Sequence, residues 1–515
     1  MTSSTEEYTR DVEFNSGYIF DQDPGVAAFI AARRGQAASV ARGGYTYVDL
    51  GCGNGRTLTL LAAANPDCSF IGVDFNPDHL ARARQIAEEA GLANLELREG
   101  DLLDPAVLDA LPECDVITIQ GTFSWLPEDG AHRLLERAGR RLRPGGMFLV
   151  QRMCLPAKAA IVPVWYLMRL LTPGRNLPDD RRAGLGVNQM QRVLDAGAAF
   201  FEENPQAQKA FTGHASQIGQ NPNKLKHLAH HAMAEHWRPY YFAELAGMAE
   251  EAGLTYAGTM NRVLNEPELA LSPDQRVVWE SFTDDPSVAE TLLDFLRNDH
   301  NRTEIFVRPG LGDADQARRF AAEEVALFAT REARFIPRNI RRPDDSRIDL
   351  SGEACDRLIE AWDQAPRTLA ELAGDGEVSE EDWAAAGHLF ATGAYQLVWR
   401  EGDTDPAARF NRIELGRAVE EPRPAVLASP WTGAGIQPLS IPETVFLHAS
   451  LQEGLGSLAD LVEYARKRFA ETTVQVPLPG GRMALKDLSR AQIEELAQRF
   501  IDDRVPRLQV LGIVG

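Results

Sequence analysis

The stretch Tyr47-Val48-Asp49-Leu50-Gly51-Cys52-Gly53-Asn54-Gly55 carries a short apolar strand into a glycine loop. Two later stretches, Ile71-Gly72-Val73-Asp74 and Glu99-Gly100-Asp101-Leu102, each end a strand on an acidic turn. Their spacing is that of successive βα units. Working outward, the pattern predicts strands at 47–50, 70–74, 95–99, 116–120 and 147–151, with helices at 56–64, 77–90, 105–111 and 130–142. Pro144-Gly145-Gly146 turns the chain into the fifth strand. Such alternation predicts an α/β fold on a doubly wound, Rossmann-like parallel sheet.

Each residue type in the loop has a physical use. Gly51, Gly53 and Gly55 let the backbone adopt positive φ and approach a ligand that a Cβ would push away. Asp49 sits just before the loop, where a carboxylate can hold its amides or a ligand ammonium. Asp74, nineteen residues beyond Gly55, ends its strand where a carboxylate can accept both hydroxyls of a ribose. Asp101 would accept from an adenine amine, and Leu102 would cover the ring. The loop reads GxGxG with Arg56 next, and a third acidic element follows, so the pattern favours S-adenosylmethionine (SAM) over a dinucleotide or a turn of no function. Cys52, Asn54, Phe75 and Gln120 complete the expected cofactor set, Cys52 as a small residue rather than a nucleophile.

A chain of 515 residues is too long for one core and should divide into two or three domains. Its 44% hydrophobic and 25% charged residues suit a globular protein with substantial cores. The formal charge of −22 repels phosphates, so nucleic acid is not an expected partner. Five scattered cysteines (Cys52, Cys68, Cys114, Cys154, Cys355) lack metal spacing and suit a reducing cytosol. Residues 1–7 lack the basic and apolar regions of a signal peptide. The best apolar run, 159–171, is broken by Pro163 and Arg169. The expectation is a soluble cytoplasmic protein with no membrane partner.

Residues 7–43 read as a lid containing Tyr8, Phe14, Tyr18 and Phe20, then a helix at 24–34; the aromatic residues would close over the cofactor or pack on the sheet edge. After the fifth strand, residues 154–236 read as helices and polar loops punctuated by prolines. A helix at 241–253 and strands at 254–260 and 303–308 resume the sheet. The expected division is therefore a cofactor domain with lid (1–153), a helical insertion on the substrate side (154–236), the end of the sheet with a regulatory segment (237–310) and a C-terminal interaction region (311–515). Ligands of such sheets bind outside the carboxyl ends of the strands, where the insertion would wall the pocket. In the tail, 358–398 and 447–514 each read as a short helix, a longer helix and a strand (395–399; 507–514), a winged-helix-like α+β plan present twice. Glu380, Glu381 and Asp382 open the would-be recognition helix, so protein interaction or homodimerisation is expected there rather than DNA.

Candidates for the acceptor side follow. Gln120-Gly121-Thr122-Phe123-Ser124-Trp125 stands where amide-nitrogen enzymes carry Asn/Asp-Pro-Pro-Tyr. Phe123 and Trp125 would bracket an ammonium, form an apolar slot, or pack beneath the insertion; Met153 lies beside them at the end of the fifth strand. His227, His230, His231, Glu235 and His236 form the densest polar cluster. Its readings are a general base, with His230 and His231 as candidates, a structural helix, or a metal site that no thiolate or HExxH pattern supports. Tyr240 and Tyr241 would orient an acceptor or belong to the core.

The chain resembles the class I SAM-dependent methyltransferases that carry a methyltransferase regulatory domain, the group that includes the rickettsial protein lysine methyltransferases acting on outer-membrane protein. The resemblance rests on VDLGCGNG (48–55), GVDFNP (72–77), EGDLLD (99–104), GTFSWLP (121–127), RPGGMFLV (143–150), RPYYFAELAGMAEEAGLTYAG (238–258) and DFLRNDHNRTEIFVR (294–308). It implies SAM contacts at Asp49, Gly51, Gly53, Asp74, Asp101 and Leu102, S-adenosylhomocysteine as product, and transfer to N or O, with a protein lysine as one acceptor. Two departures lie where the acceptor should bind. Met153-Cys154-Leu155-Pro156-Ala157-Lys158 replaces the family's Asn-Thr-Leu-Pro-Gly-Trp, and His230-His231 replaces its His-Glu. A small-molecule or peptide acceptor, and a SAM sensor without turnover, stand as the alternatives.

Overall fold

The computed structural model describes residues 17–173, 177–221, 223–342, 344–374, 376–400, 402–478 and 481–514. Seven strands build the central sheet: β1 (Thr46–Leu50), β2 (Ser69–Asp74), β3 (Leu95–Glu99), β4 (Cys114–Ile119), β5 (Leu142–Met153), β6 (Thr255–Thr259) and β7 (Asn301–Val307). Their spatial order is β3-β2-β1-β4-β5-β7-β6. β7 runs antiparallel to both neighbours, and the β1–β5 pairings are parallel. The strand order reverses between β1 and β4, which opens a crevice at their carboxyl ends.

Helices α1 (Pro24–Arg33), α2 (Arg56–Ala64), α3 (Pro77–Ala90), α4 (Pro105–Asp109) and α5 (Glu128–Gly139) belong to this unit. Proline at the first helical position with an Asp or Asn cap starts three of them: Asp23 accepts from Gly25 and Val26, Asn76 from Asp78, and Asp104 from Ala106. α5 stops three residues before its predicted end because Leu142 pairs with Cys114 and already belongs to β5. Side chains of the strands alternate between two cores. Tyr47, Met147 and Leu149 face one together with α1 and residues of the C-terminal half, whereas Val48, Leu50, Phe148 and Val150 face the other.

The segment after β5 forms α6 (Val162–Leu171), α7 (Asp179–Asp195), α8 (Ala199–Glu203), α9 (Pro205–Gln220) and α10 (Asn223–Ala232), with a core of their own that includes Trp125, Met153, Trp165, Met168 and Trp237. α11 (Phe242–Glu251) leads into β6; α12 (Pro267–Ala270), α13 (Pro273–Glu280) and α14 (Pro286–Arg297) fill the crossover to β7. A buried ion network joins these pieces. Arg152 of β5 donates to Asp294 at 2.8 Å and to Glu304 at 3.1 Å, while Arg302 of β7 reaches Glu290 at 2.6 Å and Asp294 at 3.0 Å. Both guanidinium groups are shielded from solvent.

In the tail, strand Ala326–Ala329 pairs with Arg367–Thr368 and Tyr395–Val398 around helices Glu353–Gln364, Leu369–Ala373 and Glu380–Ala391. The first segment thus holds a short helix, a longer helix and a strand in that order. The second departs from it: a hairpin of Gln475–Leu478 with Gly481–Ala484 comes before helix Arg490–Arg499, and Val505–Val510 is a helix where a strand was expected. Pro506 sits in its first turn, and Arg507 turns inward, donating to Asp363 at 2.6 Å and to the Ala329 carbonyl at 3.1 Å. No strand among the described residues pairs with that segment. Helix Thr404–Glu420 lies against α2 and α3, joined through Arg56–Glu414 and through Arg417–Glu89 at 2.7 Å. No helix among the described residues is long and apolar enough to cross a membrane.

Candidate active site

The glycine loop closes back on β2. Gly51 and Cys52 donate to the Val73 carbonyl at 2.8 and 3.1 Å, and the Gly53 amide donates to Asp74 at 2.8 Å. The other oxygen of Asp74 accepts from Asn76 at 2.9 Å. Gly51 and Gly53 have φ of 81° and 54°, left-handed values that glycine adopts without strain. A Cβ on Gly51 would lie 2.5 Å from the Thr122 hydroxyl, whereas one on Gly53 would meet no heavy atom within 4 Å and would point into open space. The backbone is thus shaped for close approach by a ligand.

Two adjoining cavities share Gly51, Gly53, His79, Gln120, Gly121 and Trp125. The first is also lined by Asp74, Phe75, Asp101, Leu102 and His230; the second by Asp49, Cys52, Asn54, Met153 and His231. Asp101 accepts from the Leu103 amide at 2.9 Å, which fixes its carboxylate at the start of the turn. Gln120 accepts from Thr303 at 3.3 Å, and its buried Nε2 has no protein acceptor, a donor left for a ligand. The cleft therefore offers an apolar cover, carboxylates for hydroxyl, amine and ammonium groups, and an open glycine backbone. These residue types fit SAM.

Asp49 is buried beside Gln22, which donates to it at 3.1 Å. Burial pushes its carboxyl up to about 7, opposed by the Gln22 bond and reinforced by the charge of Asp74. Burial and the same two carboxylates hold the Cys52 thiol well above its ordinary range, so it stays protonated and is no nucleophile. Gln22 and Asp21 were not singled out in the sequence; no local pattern marks them, because their partners Asp49 and Thr303 lie 27 and 282 residues away. Of the lid aromatic residues, Tyr18 and Phe20 both line the second cavity and meet edge to face at 4.8 Å. Tyr8 and Phe14 lie outside the described residues.

The acceptor candidates separate. Trp125 lines both cavities and donates from its indole to the His230 carbonyl at 2.7 Å. Phe123 does not: it is fully buried below the cleft, 5.3 Å from the Tyr240 ring, and cannot bracket an ammonium. Tyr240 is likewise a core residue. Its backbone carries its visible role, donating to the Met153 carbonyl at 2.8 Å and accepting from Leu155 at 3.0 Å, which seats the chain that leaves β5. Tyr241 caps α11 and stacks on Phe295 away from both cavities. Alternation along Tyr240-Tyr241 turns the two rings to opposite sides, and neither turns to the cleft.

His230 and His231 face different cavities. His231 packs 5.2 Å from Trp125, 5.6 Å from Trp165 and 4.7 Å from His227. Burial first, then the neighbouring His227 and Lys158, drive its imidazole well below the ordinary histidine range. Lys158, not singled out earlier as a site residue, lines the same cavity.

Residues 41–169 match the family profile described as a methyltransferase domain, and residues 224–308 match the one described as a predicted methyltransferase regulatory domain. With the sheet order and the glycine cleft, this defines a class I SAM-dependent methyltransferase that carries a methyltransferase regulatory segment, with SAM as methyl donor. Among relatives, the chain is 25% identical over 527 residues to the uncharacterized protein sll1526 of Synechocystis, covering 99% of each. It is 36% identical over 104 residues to trans-aconitate 2-methyltransferase of Methylobacterium nodulans, a match spanning 20% of this chain and 36% of that enzyme. It shares its fold with PKMT2 from Rickettsia typhi, solved in complex with AdoHcy, at a TM-score of 0.65 and 14% identity over 97% of this chain and 99% of that one.

Proposed function

We propose that this methyltransferase transfers the methyl group of SAM to a nitrogen or oxygen of an acceptor held in the second cavity, beneath the helical insertion. The supporting observation is one continuous wall: glycine-loop residues Gly51 and Gly53 and insertion residues His227 and His231 line the same space. On this reading Asp74 takes the ribose hydroxyls, Asp101 the adenine amine, Leu102 the ring face and Asp49 the methionine ammonium. SAM supplies an electrophilic methyl group on a sulfonium. The protein's own work is positional: it aligns the acceptor at about 3 to 3.5 Å in line with the breaking bond and excludes water. Trp125, Met153 and His231 form the apolar and aromatic side of that space.

The resemblance to the rickettsial enzymes favours a protein lysine as acceptor, and the insertion residues His227 and His231 on the cavity wall favour a small molecule or a single inserted side chain. Incubating the pure chain with methyl-tritiated SAM and fractionated bacterial extract tests the proposal. Label in protein supports the lysine-type acceptor; label confined to small molecules supports the enclosed-pocket acceptor. S-adenosylhomocysteine formation in neither fraction overturns the assignment.

A further inference from the structure

Resting on that reading, we propose that the acceptor presents a carboxylate to Lys158, so that the product is a methyl ester. Lys158 follows the end of β5 and lines the second cavity, half-buried. Its ammonium has no hydrogen bond or ion pair among the described residues, and burial lowers its pKa from the ordinary lysine value. A cation half-withdrawn from water without a counter-ion calls for an anion.

The surrounding groups point the same way. Burial lowers the pKa of the imidazoles of His214, His227, His231 and His300, and the positive charge of Lys158 depresses each of them further. Of the two carboxylates on this cavity, Asp21 accepts from Thr303 at 3.0 Å, and Asp49, which accepts from Gln22 at 3.1 Å, is the group assigned to the ammonium of the cofactor. An acceptor ammonium entering here meets a like charge. It would also have to lose a proton held with a pKa of about 10.4, and His231, well below the ordinary histidine range, binds protons too weakly to take it. A carboxylate needs no base. Its oxygen lone pair forms the new C–O bond while the C–S bond breaks, the electron pair stays on sulfur to leave a neutral thioether, and no proton moves.

Methyl esters and N-methyl groups differ in alkali, since only the ester releases methanol. The full-length enzyme is incubated with methyl-tritiated SAM and cell-extract fractions, and the labelled products are treated with base. Volatile tritiated methanol is the expected outcome. Lys158→Met should lower that base-labile label at least tenfold and Lys158→Arg should restore part of it, with calorimetric affinity for S-adenosylhomocysteine within twofold of the parent in both. Base-stable label overturns the carboxylate while leaving methyl transfer intact. A tenfold loss of S-adenosylhomocysteine affinity in Lys158→Met assigns the ammonium to the methionine carboxylate of the cofactor and overturns the proposal. Absence of label in every fraction overturns the methyl-transfer reading and this one with it.

Discussion

The amide of Gly53 donates to the carboxylate of Asp74 across 2.8 Å, tying the glycine loop to the end of β2. The carboxylate that orders the loop is the one proposed to read the ribose. Asp74→Ala removes both functions, and the expected loss of S-adenosylhomocysteine affinity is about 2 kcal/mol, from hydrogen bonds to a charged group. Gly53→Ala should lose as much by another route, since φ of 54° disfavours a Cβ that would project into the cleft. Calorimetry on both variants checks this; affinity unchanged in Asp74→Ala removes the ribose assignment.

Asp49 makes the protein sensitive to pH. Its carboxyl is raised to about 7 in the fold, whereas an unfolded Asp titrates near 3.9. Between those values the folded state holds a proton that the unfolded state has released, so stability from this group falls as pH rises from about 4 to 7. Relative to Asp49→Asn, the ligand-free protein should lose stability over that window, read as diverging urea midpoints. If the cofactor ammonium sits against Asp49, binding at pH 6 should release a proton. Calorimetry in buffers of different ionisation enthalpy measures it.

Arg56, the first residue of α2, reaches across to Glu414, which also accepts from Arg423 at 2.6 Å. This couples the tail to the helix that begins at the glycine loop. Glu414→Ala leaves two guanidinium groups facing each other without their carboxylate, and a loss of about 3 kcal/mol is expected. Thermal unfolding should show it, and Glu414→Gln should recover part. A variant as stable as the parent would mean that the contact contributes nothing to stability.

The buried network predicts a larger effect. Arg152→Met strands the carboxylates of Asp294 and Glu304 with Arg302 as their remaining partner, at an expected cost of about 4 kcal/mol. The urea midpoint should drop without a change in slope. Because Arg152 also donates to the Tyr240 carbonyl at 3.2 Å, the segment from Met153 to Lys158 should loosen, and acceptor turnover should fall further than cofactor affinity.

Local patterning determined the nucleotide-binding half. Short apolar runs alternating with helices located β1 to β4 to within two residues, whereas β5 starts five residues before the expected position and takes in Pro144-Gly145-Gly146; prolines behind Asp23, Asn76 and Asp104 marked the helix starts, since caps and turns are set by neighbours in the chain. The glycine loop and the acids at 49, 74 and 101 were legible for the same reason: each lies at or just beyond the carboxyl end of a strand of that parallel sheet. Tertiary structure alone decided which acceptor-side residues meet. Phe123 and Tyr240 read as site residues yet went into the core, Tyr241 turned to Phe295, and Gln22 and Lys158 came to the cleft without any local mark. It also decided that Val505–Val510 is a helix, because Arg507 finds Asp363 144 residues away. Periodicity records which side of its own element a residue occupies; what lies across from that side depends on contacts between distant segments, and those exist only once the chain has packed.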